Sequence, residues 1–186
     1  MKYYELREDI YYPKRWYLGD ILEITDNWEL IYGKKTDEKL FIKELHIKLY
    51  KDGTPMDYTT NEAYSVPIVS ERIKKQLGFV NGLQFIQVTI ENKKLDLKYF
   101  IMVVTNKIDC VNEELSVFGK FMENDPVRPD LAGHYSWFTT LIIDPAKING
   151  ADVFRINKSE NKLIISERLK RAIETVDVSG IKFIEV

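Results

Sequence analysis

The sequence has few of the residues that build several common kinds of functional site. It contains one cysteine, Cys110, and two histidines, His46 and His134, among 186 residues. A single cysteine cannot form an intramolecular disulfide, and three cysteine and histidine residues are too few for most zinc sites. We therefore expect no disulfide framework and no metal centre.

Long hydrophobic runs and an excess charge of one sign are also missing. The longest apolar runs, such as residues 99–104, are much shorter than the roughly 20 residues of a membrane helix. The 27 Lys and Arg residues nearly balance the 29 Asp and Glu residues, which argues against a broad basic surface for nucleic acid. The N-terminus carries charges where a signal peptide has its apolar core. We expect a cytoplasmic protein that binds neither membranes nor nucleic acids.

The glycines do not form any of the familiar phosphate-binding patterns. Nine are present, but neither G-x-G-x-x-G nor the P-loop pattern occurs. A nucleophile elbow, a C-x-x-C pair and an H-E-x-x-H motif are missing as well. Each of these motifs solves a geometric problem that scattered residues rarely solve. The sequence therefore gives no signature of a common enzyme class.

Alternation of apolar and polar residues predicts a protein built mostly from β-strands. Strands are predicted at residues 45–49, 83–91, 95–105, 138–144 and 153–156. Asp52-Gly53 is a dipeptide typical of a hairpin turn. The repeated βαβ pattern of a doubly wound sheet is missing. We predict an α+β fold, a single domain over residues 1–186, with a mainly antiparallel sheet and a few short helices.

Two segments of the chain, residues 68–88 and 164–186, have similar sequences. Ile-Val-Ser-Glu-Arg opens the first and Ile-Ile-Ser-Glu-Arg opens the second, and each ends in a glycine-initiated run with a central phenylalanine. Each segment is typical of a strand, a helix and a strand, with Ser70 or Ser166 at the helix N-cap. We predict an internal repeat of two superimposable strand–helix–strand units.

The stretch from Asp109 to Trp137 is the best candidate for binding a partner. It contains the longest irregular segment, and binding residues concentrate on loops held by a rigid scaffold. It is net acidic, which would steer a basic partner towards it, and it ends in aromatic types that anchor interfaces. The predicted partner-binding residues are Asp109, Glu113, Glu114, Glu123, Asp125, His134, Tyr135 and Trp137. Aromatic residues crowded into the first 17 positions either extend this surface or fill the core.

Short motifs in a fixed order along residues 3–186 resemble one protein family. They are Tyr3-Tyr4-x-Leu6, Trp16-Tyr17-Leu18-Gly19, Val66-Pro67-Ile68-Val69-Ser70-Glu71-Arg72, Asn106-x-x-Asp109-Cys110, Asp152-Val153-Phe154-Arg155, Ser166-Glu167-Arg168-Leu169 and the closing residues 180–186. The set resembles a family of bacterial polymorphic-toxin immunity proteins, immunity family eleven, formerly a domain of unknown function. The resemblance implies a protein that binds and neutralises a cognate toxin, with no cofactor and no catalytic residues.

Two other hypotheses stay open on the sequence alone. The first is a small hydrolase or transferase with a site near Asp109, Cys110 and His134, in which the thiol is the nucleophile and the imidazole the base. Free cysteine is more often a buried structural residue, so we predict that Cys110 is not catalytic. The second is a general interaction module without a toxin partner.

Overall fold

The computed structural model describes residues 1–31, 44–61, 65–78 and 80–186. In these ranges the chain forms thirteen strands and three short α-helices. The strands are β1 (Tyr3–Glu8), β2 (Tyr17–Ile21), β3 (Leu45–Lys51), β4 (Tyr58–Thr60), β5 (Pro67–Ser70), β6 (Leu83–Ile90), β7 (Tyr99–Val104), β8 (Lys107–Ile108), β9 (Val117–Lys120), β10 (Tyr135–Thr140), β11 (Val153–Ile156), β12 (Ser159–Ser166) and β13 (Ile181–Glu185). The helices are α1 (Trp28–Ile31), α2 (Glu71–Leu77) and α3 (Glu167–Glu174). The protein is thus mostly β-sheet with a few short helices, as the sequence predicts.

The strands form two large sheets and one hairpin. The six-stranded sheet has the order β2-β3-β6-β7-β5-β4, the five-stranded sheet has the order β13-β1-β12-β11-β8, and β9 pairs with β10. Most strand pairings in the described ranges are antiparallel, as predicted, but both large sheets are mixed. In one, β3 pairs with β6 in parallel, and in the other β8 pairs with β11 in parallel. Long connections separate the strands of both pairs along the chain, as parallel pairing requires.

The two segments of similar sequence contain the same elements in the same order. One runs through β5, α2 and β6, and the other through β12, α3 and β13; residue 79 of the first segment lies outside the described ranges. Both β5 and β6 pair antiparallel with β7, and both β12 and β13 pair antiparallel with β1. Each segment therefore holds an antiparallel strand between its own two strands. That the two units superimpose stays a prediction.

The residues predicted as N-caps of α2 and α3 behave differently. The hydroxyl of Ser166 accepts a hydrogen bond from the Leu169 N–H at 3.4 Å, as expected of an N-cap. Ser70 makes no such bond. Its hydroxyl donates to the buried Asp57 carboxylate at 2.6 Å, just as that of Ser166 donates to Asp152 at 2.6 Å, so this donation does not explain the missing cap bond. The predicted cap bond at Ser70 is wrong.

The Asp52-Gly53 dipeptide does not make the predicted hairpin. The antiparallel partner of β3 is the earlier strand β2, and the chain after Gly53 crosses the backbone near Lys14. A Cβ atom at Gly53 would lie 2.4 Å from the Lys14 carbonyl oxygen. The glycine is thus required by a close approach of two backbone segments.

The core is divided among the faces of the two large sheets. One cluster joins residues of both sheets to α2 and α3, and its members include Leu6, Tyr58, Val69, Ile73, Phe100, Met102, Leu163, Ile165, Leu169 and Ile173. Among the N-terminal aromatics, Tyr3 and Trp16 are buried and Tyr11 is exposed. None of the helices in the described part of the chain is long and apolar enough to cross a membrane.

Candidate functional site

The segment from Asp109 to Trp137 is more regular than the sequence predicts. It follows β8, contains β9 and ends inside β10, so that much of it is a two-stranded hairpin. The 121–134 connection between the two strands is closed at its base. There the Phe121 N–H donates to the His134 carbonyl at 2.9 Å, and the Gly133 N–H donates to the Phe121 carbonyl at 3.0 Å. We call residues 109–137 the hairpin segment.

Glu113 and Tyr135 meet at the base of the hairpin segment. Oε1 of Glu113 accepts hydrogen bonds from Nζ of Lys120 and from the Tyr135 hydroxyl, both at 2.6 Å. The bond from Lys120, followed by the one from Tyr135, lowers the pKa of the Glu113 carboxyl. Burial, reinforced by Glu113, raises the pKa of the Tyr135 phenol. Tyr135 is buried, so it supports the hairpin from within, while Glu113 is held in place at the surface.

Asp125 and His134 shape the 121–134 connection. One carboxylate oxygen of Asp125 accepts from the N–H groups of Val127 and Arg128, at 2.9 and 2.7 Å. These bonds, that of Arg128 first, lower the pKa of the Asp125 carboxyl. His134 is half-buried, with Nδ1 3.2 Å from the Leu131 carbonyl oxygen. Both side chains are thus engaged with the backbone of their own connection.

The remaining predicted binding residues face solvent. Asp109, Glu114 and Glu123 are exposed, and 53% of Trp137 is exposed. The indole of Trp137 lies directly against Gly119 of β9, where a Cβ atom would be 2.4 Å from Nε1 of the indole. The glycine therefore allows a large aromatic side chain to rest on the neighbouring strand while presenting its other side to solution.

Besides Trp137, the hairpin segment carries a set of exposed hydrophobic residues that the sequence patterns did not single out. The set consists of Leu115, Val117, Met122 and Val127. Exposed apolar side chains grouped on one segment are a common sign of an interaction site. The sequence does indicate such exposure, because apolar residues that follow neither the strand period nor the helix period do not form one face that packs on the core.

A small cavity of about 190 Å³ lies beside the hairpin segment. Its lining includes Trp28, Phe121, His134, Tyr135, Lys158 and Asn161. The aromatic and polar lining could receive a single side chain of a bound protein. Two of the predicted residues, His134 and Tyr135, thus meet at this cavity.

The environment of Cys110 does not suit a nucleophile. The residue is completely buried, and burial, together with the nearby Asp109, raises the pKa of its thiol to about 12. The reactive form of cysteine is the thiolate, which is scarcely populated at neutral pH under these conditions. Within the described ranges, no hydrogen bond joins Cys110 to His134, whose Nδ1 lies close to the Leu131 carbonyl.

Comparison with known protein families gives one match. Residues 41–186 match the model of a family described as an immunity protein family, Imm11. The match covers most of the chain and agrees with the resemblance seen in the sequence motifs. No curated protein matches the chain.

Proposed function

The chain belongs to the Imm11 family of immunity proteins, and on this premise we propose that it binds and neutralises a cognate bacterial toxin without catalysis. The family match is the observation that carries the proposal. An immunity protein protects the cell that makes the toxin, so we place this protein in the bacterial cytoplasm. Its partner is a protein rather than a nucleic acid, a membrane or a cofactor.

We propose that the toxin binds on the hairpin segment. The exposed Trp137 and the exposed hydrophobic set on the same segment support this, because large aromatic side chains carry much of the binding energy of protein interfaces. In this proposal Asp109, Glu114, Glu123 and Trp137 contact the toxin. The residues Glu113, Asp125, His134 and Tyr135 hold the segment in its shape.

The carboxylates on the hairpin segment favour a toxin whose binding surface is basic. Reversing two exposed ones, with Glu114→Lys and Glu123→Lys together, should lower the association rate constant and weaken its dependence on salt. The matched control is the pair Asp96→Lys and Glu174→Lys, two exposed acidic residues outside the segment. Stopped-flow association at several salt concentrations measures the effect. Equal slowing by the test pair and the control pair would contradict this prediction.

Co-expression tests the proposed function itself. We expect cells that express the adjacent toxin gene to grow when this chain is present, and the two proteins to elute together in size-exclusion chromatography. Toxicity unaffected by the chain, with no complex formed, would reject the proposal. Rescue without a complex would instead favour the enzyme hypothesis.

The enzyme hypothesis makes a contrary prediction for Cys110. Since we propose binding alone, Cys110→Ala should leave protection of the cells unchanged, and so should Cys110→Ser if the variant folds. A circular dichroism spectrum and a thermal melt of each variant provide the control. Complete loss of protection by a folded Cys110→Ala protein would instead support the hypothesis of an active site with Asp109, Cys110 and His134.

We also propose that residues 1–186 form one domain built from two related units. The order β5-α2-β6 is matched by β12-α3-β13, and a hydrophobic cluster joins both large sheets. The binding segment lies between these units along the chain, after β8 and before β11. In this arrangement the two units provide the scaffold that holds the binding segment.

A further inference from the structure

Arg155 of β11 is a buried cation whose hydrogen bonding is incomplete. Only 1% of the residue is exposed. Its Nη1 donates to the Glu160 carbonyl at 2.5 Å, but Nε and Nη2 have no hydrogen-bond partner within the described part of the chain. Burial lowers the pKa of the guanidinium to about 10, which leaves it charged at neutral pH. A buried charge of this kind is costly unless an anion or acceptor pairs with it.

The acidic side chains near Arg155 are already paired with other cations. Glu160, whose carboxylate acts electrostatically on Arg155, forms an ion pair with Lys107 at 3.5 Å. Glu5 forms ion pairs with Arg7 and with Lys162, the latter at 2.9 Å. Glu8 accepts from Arg15 at 2.8 Å and from the hydroxyls of Thr59 and Thr60 at 2.8 Å each.

Four cations are therefore paired with these three carboxylates, and Arg155 adds a fifth. The neighbourhood has a surplus of positive charge. Such a surplus favours the binding of a single negative group.

A cavity of about 220 Å³ adjoins this cluster. Its lining includes Arg7, Tyr58, Thr60, Ser65, Arg155 and Asn161. Nε–H and one N–H of Nη2 form the lateral edge of a guanidinium, where two parallel bonds match the two oxygens of a carboxylate. A phosphate dianion fits less well, because Glu5 and Glu8 also line the cavity.

We propose that this cavity is a carboxylate-binding pocket in which Nε and Nη2 of Arg155 bind an acidic side chain of the toxin. The proposal rests on the proposed function. Asn161 lines both this cavity and the one beside the hairpin segment, so a toxin seated on the hairpin segment lies next to the pocket. Nε and Nη2 are out of contact with solvent, so in this proposal a side chain of the cavity wall moves aside when the carboxylate enters.

The pocket can be tested without the toxin. In ¹⁵N-labelled protein, the Nε–H signal of Arg155 is assigned by its absence from the spectrum of Arg155→Lys. Titration with sodium acetate should shift this signal saturably, and sodium chloride at the same ionic strength should not. The absence of a saturable acetate effect, or an equal effect of chloride, would overturn the proposal that this cavity binds a carboxylate.

The source of the carboxylate is tested with the toxin complex. Arg155→Met should weaken toxin binding by about 30-fold or more, and Arg155→Lys should not restore it, because lysine lacks the two-pronged edge. Arg168→Met, which removes an exposed arginine paired with Asp152, is the matched control, and thermal melts check folding. An acetate effect combined with unchanged toxin affinity would reject the toxin as the source and leave a pocket for small carboxylic acids. Failure of the wild-type protein to bind toxin would reject the proposed function while the acetate result still stands.

Discussion

Trp137→Ala should raise the dissociation rate constant of the toxin complex and weaken binding by about 2 kcal/mol or more. The indole is half-exposed and is held against Gly119 of the neighbouring strand. Little side-chain entropy is therefore lost when a partner covers it. Truncation removes this apolar contact without exposing any of the core, so the free energy of unfolding should change little. Surface plasmon resonance with an inactivated toxin measures both rate constants.

Thr139→Ala is the matched control for Trp137→Ala. Thr139 lies two residues further along β10, and it is also exposed. Its truncation should leave both rate constants unchanged. An unchanged dissociation rate in Trp137→Ala would show that Trp137 does not contribute to toxin binding, and it would contradict the proposed surface at its centre.

Asp57→Ala should lower the free energy of unfolding by about 3 kcal/mol. The carboxylate side chain is only 7% exposed. Its oxygens accept from the Ser70 hydroxyl at 2.6 Å and from the N–H and hydroxyl of Ser179 at 3.0 Å each. It thus ties the start of α2 to the chain just before β13. Truncation leaves several buried donors without an acceptor, and urea unfolding followed by circular dichroism measures the loss.

Asp152→Ala provides the comparison for Asp57→Ala. Asp152 accepts from the Ser166 hydroxyl at 2.6 Å and pairs with Arg168, but its side chain is 23% exposed, so water replaces part of what is lost. We expect a smaller cost of about 1 kcal/mol. Equal costs at the two positions would show that burial does not set the difference.

Local sequence patterns predicted much of the secondary structure because they reflect local physics. Alternation at residues 83–91 identified β6, and the Ser-Glu-Arg sequences identified the starts of α2 and α3. The bonding of Ser70 could not be predicted in this way. Its motif matches that of Ser166, and both hydroxyls donate to an earlier aspartate, Asp57 or Asp152, but only Ser166 also accepts the cap bond. Parallel pairing of β3 with β6 likewise depends on the course of the whole chain.

Burial of polar residues was also beyond the sequence patterns. The sequence Val-Phe-Arg-Ile of β11 has no alternation that would separate buried from exposed side chains. All four side chains are buried, because neighbouring elements cover both faces of the strand. Arg155 therefore gave no local sign of being enclosed. For the candidate site, the sequence named both Trp137 and Tyr135 as binding residues without distinguishing the exposed residue from the buried one. The burial of Tyr135 follows from its packing against Phe118 and Phe138.

Hydrogen–deuterium exchange of this protein, free and bound to its toxin, shows which surface the toxin covers. We expect toxin binding to slow exchange of backbone amides in residues 109–137, most strongly in the 121–134 connection and along β9. Slower exchange in another region, with residues 109–137 unchanged, would contradict this expectation.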